Sequence, residues 1–191
     1  MRELISICYL FTPLLLGLTL HGFAIKYKLL DFLVFPVDCG AVFRKKPFFG
    51  ANKTYRGLAA ISIGTSMGFA IQALWLHNYK WAQGIELLDY NFPFSLWLGL
   101  TVGFAASVSE LPNSFIKRQL DISPGETSPG LLNGLFFVLD QVDFLLGSWI
   151  VLQFYLRITL IRVFYSFIFL FITHQIISGL GYLLGMRKTA R

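Results

Sequence analysis

The sequence predicts an all-α fold, a polytopic membrane bundle of five transmembrane helices. Only 14% of its 191 residues are charged and 55% are hydrophobic, whereas soluble domains carry about 25% charged residues. Five apolar runs each come near the roughly 20 residues that a helix needs to cross a bilayer core. Lys and Arg are also distributed unequally among the segments between these runs, which is typical of a multi-pass membrane protein.

Each predicted helix corresponds to one apolar run, and the runs are Leu4–Ile25, Gly57–His77, Phe94–Phe115, Leu131–Phe154 and Ile158–Leu184. The first run lacks a small-residue cleavage site, so we expect a retained helix and not a signal peptide. The third run contains Pro112, which cannot donate a hydrogen bond to the carbonyl of Val108, so we expect a kink there. No internal repeat or linker divides the chain, and residues 1–191 are predicted to form a single domain.

The basic residues predict the orientation of the bundle. Twelve of the 16 Lys and Arg residues fall in the first loop, the third loop and the C-terminus, and four fall elsewhere. Because cytoplasmic segments carry the excess of Lys and Arg, the N-terminus is predicted outside and the C-terminus in the cytoplasm of a cell (inner) membrane. The net charge of +6 does not indicate nucleic-acid binding, because the cations flank apolar runs and form no single basic face.

Three carboxylates, Glu110, Asp140 and Asp143, lie inside predicted spans, where a central charge costs roughly 2.5–3.5 kcal/mol. Asp140 and Asp143 share one helix face because they are three residues apart. At about 1.5 Å per residue, Glu110 lies roughly 10 Å, and the aspartates roughly 13–18 Å, from the cytoplasmic ends of their helices. Such oxygens suit a hard cation such as Mg²⁺. The alternative is structural ion pairing, both for the aspartates and for Glu110, which could pair with Lys117 or Arg118.

The first loop, about residues 26–56, is the longest and is basic. Its last part contains Asn52, Lys53, Thr54 and Arg56, directly before a helix predicted to begin near Gly57. Backbone N–H groups at a helix N-terminus, together with Lys and Arg, form a natural phosphate site. The alternative is that the loop only sets topology or contacts anionic lipid.

Four blocks of the sequence together resemble one known family. They are Pro36-x-Asp38-x-Gly40 with Phe49-Gly50-x-Asn52-Lys53-Thr54-x-Arg56-Gly57, then Ser114-Phe115-Ile116-Lys117-Arg118 followed by Pro124-Gly125, then Asp140-Gln141-x-Asp143, and finally His174-x3-Ser178-x3-Tyr182-x2-Gly185. In this order the blocks resemble the CDP-archaeol synthase family, which is related to the phosphatidate cytidylyltransferases. The chain has Ser109-Glu110 where that family usually has Gly-Asp, which indicates a divergent branch.

This resemblance implies a nucleotidyltransferase of phospholipid biosynthesis that converts CTP and a membrane lipid phosphate into a CDP-lipid and pyrophosphate, with its active site facing the cytoplasm. The lipid phosphate could be of the phosphatidate or the archaeol type. The implied roles are Mg²⁺ binding by Glu110, Asp140 and Asp143, catalytic contacts by Ser114, Lys117 and Arg118, and CTP binding by Asp38, Asn52, Lys53, Thr54 and Arg56. For Ser114 a contact to phosphate and one to the metal both stay open, and for Asp38 a contact to the nucleotide and a place among the metal ligands both stay open. For His174 a place in the cavity and a structural hydrogen bond between helices both stay open.

Two other classes of membrane protein are alternatives to this enzyme. A cation or proton transporter predicts acids at several depths through the bilayer, whereas the outer half of the predicted bundle is mostly Leu, Phe and Ile. A non-catalytic scaffold predicts loss of the acids or of Lys117 and Arg118, and both are present. The sequence therefore favours the enzyme.

Overall fold

The computed structural model describes residues 1–124, 126 and 130–183. Leu184, at the predicted end of the fifth span, lies outside the described residues, as do Gly125 and Gly185 of the family blocks and the C-terminal basic residues Arg187, Lys188 and Arg191. The described helices are α1 (Arg2–Lys26), α2 (Tyr55–Leu74), α3 (Lys80–Gln83), α4 (Phe94–Val108), α5 (Glu110–Gln119), α6 (Leu131–Leu152) and α7 (Leu160–Leu183), and the strands are β1 (Val42–Phe43) and β2 (Lys46–Pro47).

The predicted number of spans is confirmed. In the described part of the chain, five helical segments are long and apolar enough to cross a membrane: Arg2–Lys26, Tyr55–Asn78, Phe94–Gln119, Leu131–Leu152 and Leu160–Gly179. Helices α4 and α5 together make up the third span, and they are separated at Ser109. The break lies beside Glu110, where the kink was predicted, because Pro112 removes one hydrogen bond of the helix and its ring crowds the preceding turn.

Small residues allow the central helices to approach one another closely. Helix α2 packs against α1 and α4, and α4 packs against α6. A Cβ atom added to Gly64 on α2 would lie 2.6 Å from the Cα of Gly17 on α1, and one added to Gly147 on α6 would lie 2.2 Å from the carbonyl oxygen of Ala105 on α4. In a bilayer there is no hydrophobic driving force between helices, because lipid tails are as apolar as the helix surfaces. Such close van der Waals packing therefore stabilises a membrane bundle.

Helix α7 closes the bundle against α1 and α6. The indole Nε1 of Trp149 on α6 donates to the hydroxyl of Ser166 on α7 over 3.0 Å. At the start of α7, Arg162 Nε donates to Glu3 Oε1 over 2.6 Å. Because Glu3 lies in the first turn of α1, this ion pair marks the end of the bundle opposite to the loop that follows α1.

The first loop folds back onto helix α5. Strands β1 and β2 form a short antiparallel hairpin, and both residues of its turn have positive φ, as a tight hairpin favours. The Phe48 ring lies 4.7 Å from that of Phe115, and Lys46 Nζ donates to the carbonyl oxygen of Gln119 over 2.7 Å. The loop after α1 and the end of α5 therefore lie at the same end of the bundle.

Candidate active site

Two carboxylates and an amide meet where α5 packs against α6. Asp140 and Asp143 lie about one turn apart on α6, and the amide nitrogen of Asn113 on α5 donates to both, over 2.7 Å to Asp140 Oδ1 and 2.8 Å to Asp143 Oδ2. Asn113 is 6% exposed and Asp143 is 8% exposed. The structure thus brings the two predicted acids together around a single buried amide.

Asn113 was missed in the sequence analysis. It lies three residues after Glu110 and four before Lys117, so it belongs to the same polar stripe of the helix. This helical spacing could have indicated Asn113 as a site residue. It was overlooked because the side chain is uncharged and the neighbouring Ser114 is the residue that belongs to the family block.

Both lysines of the predicted site are paired with predicted acids. Lys117 Nζ donates to Asp140 Oδ1 over 2.5 Å, and Lys53 forms an ion pair with Glu110. The structural alternative that paired Glu110 with Lys117 or Arg118 is therefore corrected. Those residues lie about two turns further along the same helix, whereas the first loop brings Lys53 directly to the carboxylate.

The three acids have different direct partners. Within the residues that the structure describes, no three His, Cys, Asp or Glu side chains are grouped closely enough to hold a metal ion. Asp140 and Asp143 form one pair, and Glu110 lies with Lys53. The oxygens of the aspartate pair are hard donors of the kind that Mg²⁺ prefers, and they share one hydrogen-bond donor. This pair fits a divalent cation.

Asp38 organises the first loop. Its Oδ1 accepts a hydrogen bond from the backbone N–H of Gly40 over 3.0 Å, and its Oδ2 accepts from those of Phe49 and Gly50 over 2.8 and 3.1 Å. Burial raises the pKa of the carboxyl, but these backbone donors outweigh it, so the pKa lies below its ordinary value of 3.8. Both oxygens of this predicted CTP ligand are engaged by the loop itself.

The end of the first loop leads directly into α2. The Thr54 hydroxyl caps this helix by accepting from the N–H of Gly57 over 3.3 Å. Arg56 Nη1 donates to Asp31 Oδ1 over 3.0 Å, and Asn52 is exposed. The helix therefore starts near the predicted position.

Arg118 is 7% exposed and connects the loop to the end of α5. Its Nε donates to the carbonyl oxygen of Phe49 over 3.3 Å, and its Nη1 donates to the carbonyl oxygen of Ile122. Ser114 is also buried, next to Asn113 on the same helix. In this arrangement Arg118 positions the loop that carries Lys53.

His174 contacts Gln141, the residue that follows Asp140 in the chain. Its Nδ1 lies 3.0 Å from Nε2 of Gln141, which joins α7 to α6. Gln141 is 3% exposed and follows Asp140 in the chain. This contact matches the structural reading of His174, as a hydrogen-bond partner between two helices.

The fold and the site define a class of protein: an integral membrane protein with carboxylates and lysines gathered at one end of its helices. Lysine ammonium groups held next to carboxylates suit an anionic substrate that binds together with a cation.

Residues 32–190 match the profile of the CarS-like CDP-archaeol synthase family. The chain is 31% identical over 155 residues to the CDP-archaeol synthase of Pyrobaculum islandicum, covering 80% of each chain. It is 29% identical over 147 residues to that of Staphylothermus marinus, covering 74% of this chain and 70% of the relative. A solved structure of an intramembrane enzyme for archaeal membrane lipid biosynthesis has the same fold, with a TM-score of 0.62, 21% identity and coverage of 88% of this chain and 90% of the other.

The chain belongs to the CDP-archaeol synthase family. The predicted family, the predicted enzyme class (a nucleotidyltransferase) and the predicted helical membrane fold are thereby confirmed.

Proposed function

We propose that this protein transfers the cytidylyl group of CTP to a membrane lipid phosphate and releases pyrophosphate. The observation that carries this proposal is the convergence of three separate family blocks at one end of the bundle. Lys53 of the first loop pairs with Glu110, and Lys117 of α5 pairs with Asp140 of α6. The relatives that the chain matches are named CDP-archaeol synthases.

The reaction is a displacement at phosphorus. An oxygen of the lipid phosphate attacks the α-phosphorus of CTP and forms a new P–O bond. The bond from the α-phosphorus to the oxygen that bridges it to the β-phosphate breaks, and pyrophosphate leaves with that electron pair. Because a phosphate nucleophile is largely ionised at neutral pH, catalysis reduces to positioning the reactants and neutralising charge.

The two lysines supply the positive charge for this displacement. Lys53 and Lys117 are about 24% and 18% exposed and are held at the site by Glu110 and Asp140. When CTP and the lipid phosphate bind, we expect Lys53 to move to the CTP polyphosphate and Lys117 to a phosphate at the mouth of the site. Carboxylates hold the ammonium groups in place until a more highly charged anion replaces them.

The other predicted contacts divide into direct and supporting roles. Asn52 is exposed next to Lys53 and can reach the nucleotide, and Ser114 lies buried on the same helix as Lys117. Asp38, Thr54 and Arg118 bond the backbone of the first loop and its junctions. We assign to these three the task of holding the loop in position, and to Arg56 a supporting contact to the polyphosphate.

Asp140 and Asp143 are the residues that would hold Mg²⁺. When bound, Mg²⁺ supplies charge neutralisation for the phosphates and the leaving pyrophosphate. Glu110 would be a further ligand when Lys53 is bound to phosphate and no longer pairs with it.

We place the mouth of the site in the cytoplasm, the N-terminus outside, and the single domain in the cell membrane. One support is the excess of basic residues at the end of the bundle that carries the site, because cytoplasmic segments carry such an excess. The other is that CTP is a cytoplasmic nucleotide. The alkyl chains of the lipid would leave sideways between helices, which keeps them out of water.

The test is CDP-lipid formation by the purified protein in mixed micelles with labelled CTP and Mg²⁺. Phosphatidate and archaeol phosphate are supplied in separate reactions. We expect labelled CDP-lipid with one of the two lipids and none when EDTA is added. A folded sample that binds CTP and Mg²⁺ but uses neither lipid would contradict the proposed acceptor. A folded sample that binds neither ligand would favour a transporter or a scaffold.

A further inference from the structure

We propose that Asn113 is part of the cation site and that its amide oxygen is a ligand of the cation. This inference rests on the proposed function, because the cation is the one that Asp140 and Asp143 would hold. It adds a neutral ligand from α5 to two carboxylates from α6.

The hydrogen bonds of Asn113 determine how its amide is oriented. Both aspartates accept from the same amide group, over 2.7 and 2.8 Å. Ionised carboxylates can only accept, so the nitrogen of the amide must face them. The amide oxygen Oδ1 therefore faces away from the two carboxylate oxygens that the amide nitrogen contacts. It is bonded to the same carbon as that nitrogen, so it stays near it.

The amide oxygen itself is buried and has no hydrogen-bond partner among the described residues. The whole residue is 6% exposed. Buried polar atoms are almost always satisfied, and one that is not needs a specific explanation such as an ion or a water molecule. A ligand with positive charge or a donor group is the kind of partner that this oxygen lacks.

The surroundings favour a cation as that partner. Lys117 pairs with Asp140 and Lys53 with Glu110, which leaves the charge of Asp143 beside the amide without a paired cation among the described residues. That remaining negative charge attracts a cation. The phosphate oxygens of either substrate are acceptors and cannot satisfy an amide oxygen. A carboxamide oxygen is a regular ligand of hard divalent cations, together with carboxylates. Residues from α5 and α6 would then meet at one ion.

The experiment measures Mn²⁺ binding to the purified full chain in detergent, by electron paramagnetic resonance of the free ion. Asn113→Leu removes the amide at nearly the same volume, and we expect it to weaken Mn²⁺ binding by about tenfold or more. Asn113→Asp keeps an oxygen at this position, and we expect it to bind Mn²⁺ at least as tightly as the wild type. Mn²⁺ should also raise the Tm of Asn113→Asp more than that of the wild type, because the ion relieves repulsion among three carboxylates.

Two further variants complete the design. Asn78→Leu removes an amide that bonds the carbonyl of Leu74 at the other end of the bundle, and it should bind Mn²⁺ like the wild type. Asp143→Asn should lose Mn²⁺ binding, which reports on the proposed cation site independently of Asn113. Gel filtration in detergent checks that each variant is folded.

The outcomes separate this inference from the proposed function. If Asp143→Asn loses Mn²⁺ while folded Asn113→Leu binds like the wild type, the inference is overturned and the cation site stands. If both Asn113 variants lose binding equally, only the N–H donors matter and the oxygen is not a ligand. If Asn113→Leu does not fold, Asn113→Asp decides, since loss of binding there overturns the inference. A wild type that binds no better than Asp143→Asn overturns the proposed cation site as well.

Discussion

The site balances each acid with a donor from another segment of the chain. A carboxylate at membrane depth is costly unless it is paired, and the structure pairs Glu110 with Lys53, and Asp140 with Lys117. Asp143 has an amide partner, Asn113. It forms no ion pair with a lysine among the described residues, so of the three acids it is the one whose direct side-chain partner is a neutral group alone.

Asp143 should therefore be the most sensitive of the three acids. Asp143→Asn keeps the shape of the side chain and removes its charge, so we expect a folded protein whose turnover falls by at least about a hundredfold. The measurement is CDP-lipid formation from labelled CTP. Asp89→Asn, in the exposed loop before α4, serves as the control and should stay active. An Asp143→Asn enzyme with wild-type turnover would remove this residue from the cation site.

Substitutions of Glu110 test whether the enzyme works with a glutamate at a position where the family usually has an aspartate. Glu110→Asp introduces the residue that is usual at this position of the family, and we expect this variant to keep most of the activity. Glu110→Ala leaves Lys53 without its carboxylate, and we expect turnover to fall by about tenfold or more, equivalent to about 1.4 kcal/mol. The comparison uses initial rates at saturating CTP. If Glu110→Ala is as active as the wild type, its ion pair with Lys53 is structural only.

At the scale of elements, the parts of the fold that depend on local pattern were predictable. Apolar length located the five spans, and Pro112 located the break before Glu110. The spacing of Asp140 and Asp143 placed both on one face of α6. Each of these features depends on residues within a few turns of one another, which is the range over which sequence periodicity carries information.

Contacts between distant segments were not predictable in the same way. The Lys53–Glu110 pair joins residues 57 positions apart, and it exists because the hairpin packs on α5. Asp38 was predicted to contact the nucleotide, but its backbone bonds to Phe49 and Gly50 emerge only when the loop is folded. A sequence shows that a residue is acidic, and only the tertiary structure shows which donors reach it.

The contact between α4 and α6 leads to an element-scale prediction. A Cβ atom on Gly147 would lie 2.2 Å from the Ala105 carbonyl oxygen and 2.5 Å from the Ser109 hydroxyl oxygen. That hydroxyl donates to the backbone carbonyl of Asp143. Gly147→Ala should therefore push the helices apart, destabilise the protein by about 1–3 kcal/mol and disturb Asp143.

The measurements for this prediction are the Tm in detergent and the rate of CDP-lipid formation, both of which should fall. Gly134→Ala on the same helix is the matched control, because a Cβ atom there meets nothing within 4 Å. The Gly134→Ala substitution should leave the free energy of unfolding unchanged or raise it by up to about 1 kcal/mol, because alanine has a higher helix propensity than glycine. Equal Tm values for Gly147→Ala and the wild type would show that α4 and α6 are not held this closely.

At the scale of the whole molecule, the two ends of the bundle differ. One end carries the hairpin, the paired lysines and the carboxylates. At the other end, Arg162 pairs with Glu3, and His77 contacts Glu86 over 2.9 Å. This asymmetry favours a site that opens to one compartment over a polar path that crosses the membrane.

The proposed orientation can be tested with the two cysteines of the chain. Cys39 is exposed in the first loop, at the end of the bundle that carries the site. In a Cys8→Ser variant it is the only thiol, and we expect a membrane-impermeant maleimide to label it in inverted vesicles but not in intact cells. As a mirror control, Asn78→Cys in a chain that also carries Cys8→Ser and Cys39→Ser places the thiol at the opposite end. It should be labelled in intact cells. Labelling of Cys39 from outside intact cells would contradict the proposed orientation, because the site would then face away from the cytoplasmic CTP that the proposed reaction consumes.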